Sequence, residues 1–272
     1  MSTHSTDTES ASQHGADLES PTATRTGDVE PLLKLLDALD ELPAAIALRD
    51  ESYELLQLAA GERAVDVGSG SGRAVAELVE RSVVAVGVDP DEAMLATARQ
   101  RYPRADFRAA GAYDLPFATG ELAGYRADKV LHVLDDPSRA LDEAHRVLRP
   151  GGRVVLVGQD WDSFIIDADD PVLIRCIVQA RAATVASPRA ARCYRNLLLD
   201  AGFSDVTVGA RTAVFTSELM LPMLTGIAEA AYASGAIDGD QAQQWITEQQ
   251  TRAQRDRLFV AIPLFLAHAR RP

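Results

Sequence analysis

The chain opens with a polar segment and then changes to a repeating pattern of apolar positions. Residues 1 to 27 are rich in Ser, Thr, Asp and Glu and contain almost no large apolar side chain. Such a segment cannot bury enough surface to offset its ordering entropy, so we expect a disordered acidic tail. From Val29, leucines recur every three or four residues up to Pro43, and a similar spacing continues over 44–58. This periodicity predicts two N-terminal helices within residues 29–58.

Short, continuous apolar runs follow, and they alternate with segments of helical periodicity. The runs lie at 64–67, 83–88, 105–109 and 154–157, and another strand, the fourth along the chain, opens the stretch ELAGYRADKV. The helical patterns begin near Arg73, Asp91 and Pro137. This alternation predicts an α/β fold with a mostly parallel sheet. Further helices are predicted at 171–184, 191–200, 218–234 and 238–253, and further strands at 206–215 and 264–270. Pro263 is placed at the first position of the last strand, where a proline removes no ladder bond.

A glycine turn and an acid follow the first two predicted strands. The first strand leads into a turn, the second ends in an acid, and the residues concerned are Asp66, Gly68, Ser69, Gly70, Gly72 and Asp89. Backbone N–H groups at the start of a helix bind polar ligands, and glycines let the backbone approach them closely. An acid at the end of the next strand can accept hydrogen bonds from a ribose. The pattern therefore predicts a nucleoside-cofactor site.

A dinucleotide site is the less favoured version of this prediction. In the G-x-G-x-x-G pattern counted from Gly68, the third glycine position holds Arg73. Asp66 would also face a pyrophosphate with like charge, and it suits a cationic ligand better. An NAD-dependent oxidoreductase therefore remains only a secondary alternative.

At this point the chain resembles a known family. The stretches VDVGSGSG, VLHVLDDP and LRPGG are similar to motifs of the class I S-adenosylmethionine-dependent methyltransferases, and the helical region before them resembles the UbiE-like small-molecule group. The resemblance implies a Rossmann-like, seven-stranded, mostly parallel sheet with helices on both faces. In that family the last two strands are usually joined by a short hairpin, so the segment inserted here, about 217–255, is interpreted as a helical lid over an acceptor site. We expect one methyltransferase domain over 28–272, with its core at about 55–215 and 258–272.

The resemblance also assigns cofactor contacts. It implies that the glycine turn and Asp66 hold the methionyl part, that Asp89 holds the ribose, and that Met94 lies against the adenine. Gly111 takes the place of the Asp that usually binds the adenine amino group, so adenine recognition must rest on backbone groups or on neighbouring side chains. The implied S-adenosylmethionine contacts are Asp66, Gly68, Ser69, Gly70, Gly72, Asp89, Pro90, Met94, Gly111, Ala112, Tyr113 and Ala127.

Candidate catalytic and acceptor-binding residues lie after the fourth and fifth strands and on the second helix. His132 is the first candidate base, because a histidine pKa is naturally near neutral and its loop faces the cofactor methyl in the resembled family; packing or capping is its alternative role. Asp160 is the second candidate and Trp161 a candidate wall of the acceptor pocket, with a helix cap and a core tryptophan as the alternatives. Arg49, Tyr53 and Arg126 are candidate residues of the acceptor pocket, and for each of them a structural role is the alternative. Arg126 belongs to a charged cluster with Asp128 and Lys129.

Composition narrows the choice of partner. The net charge of −13, from 40 acids against 27 bases, argues against nucleic acid, which needs a basic footprint. No apolar stretch reaches the roughly 18 residues that span a membrane, and the N-terminus lacks a secretory pattern. Cys176 and Cys193 form no CxxC, and no carboxylate cluster indicates a metal. We expect a cytoplasmic protein, a small-molecule acceptor, and either a monomer or a homodimer.

The predicted function is methyl transfer from S-adenosylmethionine to O, N or C of a small organic acceptor, within specialised metabolism. A second interpretation stays open, because the usual adenine Asp is absent and no base stands out. In it, the fold binds the cofactor but catalyses a non-methylating reaction or acts as a binding module.

Overall fold

The central sheet is the frame on which the site is built. The structure, a computed structural model, describes residues 29–272, with side chains from residue 34 onward, so the predicted tail lies outside the described residues. The strands are β1 (Arg63–Val67), β2 (Val84–Asp89), β3 (Asp106–Ala109), β4 (Leu122–Asp128), β5 (Leu148–Gln159), β6 (Ile165–Ile166), β7 (Ser204–Phe215) and β8 (Val260–Arg270). The order is β3-β2-β1-β4-β5-β8, and both β6 and β7 also pair with β8.

The sheet is mostly parallel, as predicted. Strands β1 to β5 run parallel, and β8 is antiparallel to β5, β6 and β7. The seven long strands are those predicted, and β6 is an additional strand of two residues, too short to carry any periodicity. Because β1 lies between β2 and β4, the strand order reverses there, and the carboxyl ends of β1 and β4 border the crevice where open α/β sheets bind ligands.

The helices connect and cover the strands. They are α1 (Val29–Asp40), α2 (Pro43–Leu56), α3 (Arg73–Glu80), α4 (Glu92–Arg101), α5 (Pro137–Val147), α6 (Pro171–Ala183), α7 (Ala190–Asp200), α8 (Leu221–Ala233) and α9 (Gly239–Gln254). Their N-termini follow the local sequence, because Asp91 caps α4 and Asp136 caps α5 through side-chain bonds to backbone N–H groups.

Apolar packing places helices on both faces of the sheet. Leu141 of α5 and Tyr194 of α7 belong to one buried cluster, and Leu78 of α3 and Leu95 of α4 to another. A third cluster joins α6, α8 and α9 around Trp245, which is fully buried. Within the described residues, no helix is both long and apolar enough to cross a bilayer.

The position of Pro263 differs from the prediction. It is the fourth residue of β8 rather than the first, and it pairs with Thr212 of β7. On the other edge of β8, pairing with β6 ends at Ala261 and pairing with β5 begins at Leu264. The proline thus lies where one edge of the strand has no ladder partner, which is where a missing N–H costs a sheet least.

Candidate active site

The glycine turn between β1 and α3 has the backbone shape that only glycines adopt easily. Gly68, Gly70 and Gly72 have φ of +68°, +51° and +88°, in the left-handed region. A Cβ on Gly68 would lie 2.4 Å from a methyl carbon of Val130, so this turn packs directly on the loop after β4. The hydroxyl of Ser69 is buried and has no hydrogen-bond partner. The turn therefore presents backbone and one unpaired hydroxyl at the carboxyl end of β1.

Asp89 holds the turn and the end of β2 together. Its carboxylate accepts hydrogen bonds from the N–H groups of Gly70 and Asp91, both at 2.9 Å. Because a carboxylate has about four lone-pair sites, two backbone bonds leave capacity for a ligand.

A cavity of about 410 Å³ opens beside this turn. Six of the predicted cofactor residues, Tyr113 among them, border it. Met94 and Ala127 do not, and Ser69, Gly70 and Gly72 belong to the adjoining turn. The hydroxyl of Tyr113 accepts a hydrogen bond from the N–H of Asp136 at 3.0 Å, which holds its ring at the wall. The lining residues are Val67, Gly68, Asp89, Pro90, Ala110, Gly111, Ala112, Tyr113, Asp128, Lys129, Val130, Val133 and Leu134.

Gly111 leaves one wall of this cavity open. A Cβ built on it would meet no atom within 4 Å, and its φ is not in the left-handed region. The backbone therefore accepts a larger residue here without strain. The adenine Asp that the resembled family usually carries is absent although the structure has room for it.

Asp66 has a different environment from the one predicted. It does not line the cavity: it is 3% exposed, and its Oδ1 accepts a bond from the buried Arg126 at 2.7 Å. Burial raises the pKa of Asp66, and Arg126 opposes this rise. Arg126 also donates to Asp128 and to the Ser52 hydroxyl, both at 2.8 Å, and lies over the Tyr53 ring. Asp66 and Arg126 therefore form a buried ion pair below the turn, which sequence motifs could not reveal.

Tyr53 and Arg49 of α2 both form hydrogen bonds to Glu77 of α3. The Tyr53 hydroxyl donates to Glu77 at 2.8 Å, and Arg49 donates twice to the same carboxylate at 3.2 Å. Arg49 also donates to the carbonyl of Asp40 at 2.8 Å. Tyr53 reaches neither cavity and clamps α2, whereas Arg49 is both a clamp and part of a second cavity.

This second cavity, of about 440 Å³, is mostly apolar. Leucines of α1 and α2 form one side, aromatic residues after β5 a second, and the β7–β8 pair with the start of α8 a third. Trp161, the candidate wall of an acceptor pocket, lines this cavity. The sequence pattern predicted a helix for the leucines of α1 and a strand for the β7 residues, but not that either would line a cavity. The lining residues are Leu36, Leu39, Asp40, Leu42, Ala44, Ala45, Ala47, Leu48, Arg49, Glu51, Asp128, Lys129, Gln159, Trp161, Phe164, Arg211, Thr212, Ala213, Phe215, Met220, Met223, Ile262 and Leu264.

The two predicted base candidates lie outside both cavities. His132 is 9% exposed and packs against Trp161 with ring centroids 5.6 Å apart, and burial lowers its pKa to about 4. Asp160 is fully buried; it accepts bonds from two nitrogens of Arg192 on α7 and one from the N–H of Asp162. The structure thus gives His132 a packing position and Asp160 the position of an anchor between β5 and α7.

Asp128 and Lys129 are the residues that border both cavities. Asp128 is the last residue of β4, the strand next to β1, and Lys129 follows it, so both lie at the reversal of the strand order. Burial alone would raise the pKa of Asp128, but Lys129 and Arg126 lower it below its usual value. In the part of the chain that the structure describes, no cluster of three His, Cys, Asp or Glu side chains is placed to hold a metal.

Comparison with known proteins agrees with this geometry. Residues 65–156 match the family of methyltransferase domains. An uncharacterized 37.1 kDa protein of transposon TN4556 from Streptomyces fradiae is 33% identical over 221 residues, covering 78% of this chain and 64% of that protein. A demethylmenaquinone methyltransferase of Clavibacter sepedonicus is 37% identical over 100 residues, 36% of this chain and 41% of that protein. The chain thus spans less than two thirds of each of these relatives.

Solved structures share the fold. The geranyl diphosphate C-methyltransferase from Streptomyces coelicolor A3(2), solved with S-adenosyl-L-homocysteine, has a TM-score of 0.56 at 17% identity, covering 93% of this chain and 86% of that chain. The cyclase SpnF has a TM-score of 0.55 at 19% identity, covering 84% and 81%. Residues 65–156 thus match the family of methyltransferase domains, and the chain shares the fold of these solved structures.

Proposed function

We propose that this protein transfers the methyl group of S-adenosylmethionine to a small, largely apolar organic acceptor. The observation that carries the proposal is the meeting of two cavities at Asp128 and Lys129, one beside the glycine turn and the other mostly apolar. A cofactor in the first cavity and an acceptor in the second would have their reacting groups at this junction.

The residues of the first cavity fit such a cofactor. Asp89 has spare acceptor capacity for ribose hydroxyls, and the Ser69 hydroxyl is a buried donor without a partner. Gly111 leaves space at the wall formed with Pro90 and Tyr113, where the flat purine ring would lie. When bound, the cofactor supplies an electrophilic methyl group on a sulfonium.

The chain's own contribution is to align the reactants and exclude water. Alignment of two reactants lowers the activation barrier by roughly 7 to 11 kcal/mol in well-oriented systems. A direct displacement at the methyl group therefore requires no covalent intermediate with the enzyme. Met220 and Met223, at the start of α8, close one side of the second cavity. We therefore also propose that α8 and α9 act as the lid over the acceptor.

Isothermal titration of the full-length chain tests the first half of this proposal. We expect S-adenosylmethionine and S-adenosylhomocysteine to bind. NAD should bind weakly or not at all, because Arg73 occupies the position of the third glycine in the dinucleotide pattern. Binding of NAD in preference to the sulfonium cofactor would refute the proposal in favour of an oxidoreductase.

A non-methylating reaction is the second candidate function. It is favoured by the open position at Gly111 and by the placement of His132 and Asp160 outside both cavities. The fold is compatible with it, because SpnF, a cyclase, has the same architecture. Incubation with methyl-tritiated cofactor and a broad panel of acceptors separates the two: label in a product supports methyl transfer, and cofactor binding without label transfer to any acceptor supports the alternative.

A further inference from the structure

The charged side chains around the acceptor cavity differ in how well they are paired. Arg49 is bonded to Glu77, and Arg211 is bonded to Glu51. Asp128 is only half satisfied: its Oδ2 accepts from Arg126 at 2.8 Å, but its Oδ1 accepts no hydrogen bond. This buried oxygen lies 3.5 Å from the Lys129 ammonium but accepts no hydrogen bond, and a donor group of a ligand at the junction of the two cavities would supply one.

Arg126 fixes the Asp128 carboxylate in place. Its guanidinium is 2% exposed, and it is itself held by Asp66 at 2.7 Å and Ser52 at 2.8 Å. Because Arg126 and Lys129 hold the pKa of Asp128 below its ordinary value, against the effect of burial, the carboxylate is ionised at neutral pH. Asp128 is therefore a rigidly placed, charged hydrogen-bond acceptor.

Lys129 adds a positive charge beside it. Its ammonium lies 3.5 Å from Asp128 Oδ1, and its side chain is half exposed. The backbone at Lys129 has a φ of +59°, in the left-handed region that is unfavourable for a non-glycine residue. Such strain is concentrated at functional sites. The ammonium offsets the charge of the Asp128 carboxylate, so this pair attracts a cationic amine less than an isolated carboxylate would and still leaves the carboxylate able to accept a hydrogen bond.

We propose that Asp128 is the catalytic residue that binds the reacting hydroxyl of the acceptor and takes its proton, and that the acceptor is an apolar molecule with a phenol-type hydroxyl. Arg126 is the positioning residue for Asp128. The inference rests on the proposed function. The acceptor oxygen gives its proton to the Asp128 carboxylate as it forms a bond to the methyl carbon; the carbon–sulfur bond of the sulfonium breaks, and its electron pair stays on sulfur as a neutral thioether.

Probe binding tests this assignment without turnover. The full-length chain, saturated with S-adenosylhomocysteine, is titrated calorimetrically at mildly acidic pH with umbelliferone, with its methyl ether herniarin, and with the corresponding aminocoumarin. A hydrogen bond to a charged group is worth about ten- to hundredfold in affinity, so umbelliferone should bind tighter than herniarin by that factor. The aminocoumarin, a neutral aromatic amine at this pH and a weaker hydrogen-bond donor than a phenol, should show a smaller gain. Equal binding of umbelliferone and herniarin, tighter binding of the amine, or no binding of any probe overturns the proposal.

Variants assign the effect to Asp128. In Asp128→Asn, the preference for umbelliferone over herniarin should fall at least about fivefold, because a neutral amide makes a weaker bond than a carboxylate, while herniarin binds as before. Asp162→Asn is the matched control: Asp162 has the same side-chain exposure of 16%, lies in an ion pair with Arg189 and borders neither cavity, so the preference should stay. An unchanged preference in Asp128→Asn overturns the proposal.

Two further measurements keep the test decisive. If Asp128→Asn does not fold, Asp128→Glu is used instead, because it keeps the charge beside Arg126 but displaces the carboxylate. This variant should bind umbelliferone more weakly and herniarin as before. An equal loss of affinity for both probes overturns the assignment. The initial saturation with S-adenosylhomocysteine separates the two hypotheses. Failure of that step refutes the proposed function, whereas cofactor binding without a preference for the hydroxyl refutes only the role of Asp128.

Discussion

Replacement of Arg126 by methionine should destabilise the protein far more than the loss of an exposed ion pair. Arg126 is 2% exposed and bonds two carboxylates, Asp66 at 2.7 Å and Asp128 at 2.8 Å, of which Asp66 is itself 3% exposed. Methionine fills a similar length but leaves both carboxylates without their cation. Removal of one partner from a buried ion pair costs about 3–5 kcal/mol, so we expect a loss of this size in the free energy of unfolding at neutral pH.

The loss should depend on pH in a defined direction. Without Arg126, the folded-state pKa of Asp66 rises further above its unfolded value, since burial already raises it and Arg126 is the group that opposes the rise. A raised folded pKa means that the stability is present at low pH and lost as pH rises through the folded pKa. The deficit of Arg126→Met relative to the wild type should therefore shrink as the pH is lowered.

Urea unfolding of both proteins at neutral and mildly acidic pH measures this difference. Arg189→Met is the control: Arg189 pairs with Asp162 at the same 2.7 Å, but its side chain is 64% exposed. An exposed pair of this kind contributes about 0–1 kcal/mol. A loss in Arg126→Met no larger than the loss in Arg189→Met, or a deficit that grows on acidification, would refute the view that Arg126 compensates buried charge.

Three further outcomes follow from the same geometry. Gly111→Asp should tighten S-adenosylhomocysteine binding about two- to tenfold, because one added hydrogen bond contributes roughly 0.5–1.5 kcal/mol, whereas Gly111→Ala should leave it unchanged; weaker binding of the Asp variant in calorimetry would contradict the adenine assignment. Asp89→Ala should weaken the same binding by about 1.5–3 kcal/mol, and an unaltered dissociation constant would remove Asp89 from the site. Burial lowers the pKa of His132 to about 4, below its ordinary value of 6.5, so the stability of the wild type should fall as the pH is lowered from the ordinary value to the folded-state value. His132→Leu should make the urea midpoint less dependent on pH over this range, and an identical pH profile would show that His132 does not titrate there.

Much of the cofactor half of the site was predictable because its determinants are local. The turn with Gly68, Gly70 and Gly72 needs positive φ within one short loop, and Asp89 follows the next strand by a short distance in the chain. Hydrophobic periodicity and the Gly and Pro residues that end helices and strands likewise placed the helices and the long strands, since these signals depend on neighbouring residues. The departure at Gly111 could also be read from the motif alone.

The charge pairing around the site depended on contacts between distant segments. Asp66 and Arg126 are 60 positions apart, and Asp160 and Arg192 are 32 apart; motif spacing left Asp66 as a ligand and Asp160 as a candidate base, and the structure instead pairs both with arginines. Hydrophobic periodicity shows that Leu36, Leu39 and Phe215 are apolar but not whether they face a core or a cavity. The sequence alone determined the fold class and the cofactor turn, because local backbone preferences and periodic burial suffice for these. Only the tertiary structure decided which charges are paired and that Asp128 borders both cavities, because both depend on the packing of strands and helices remote in the chain.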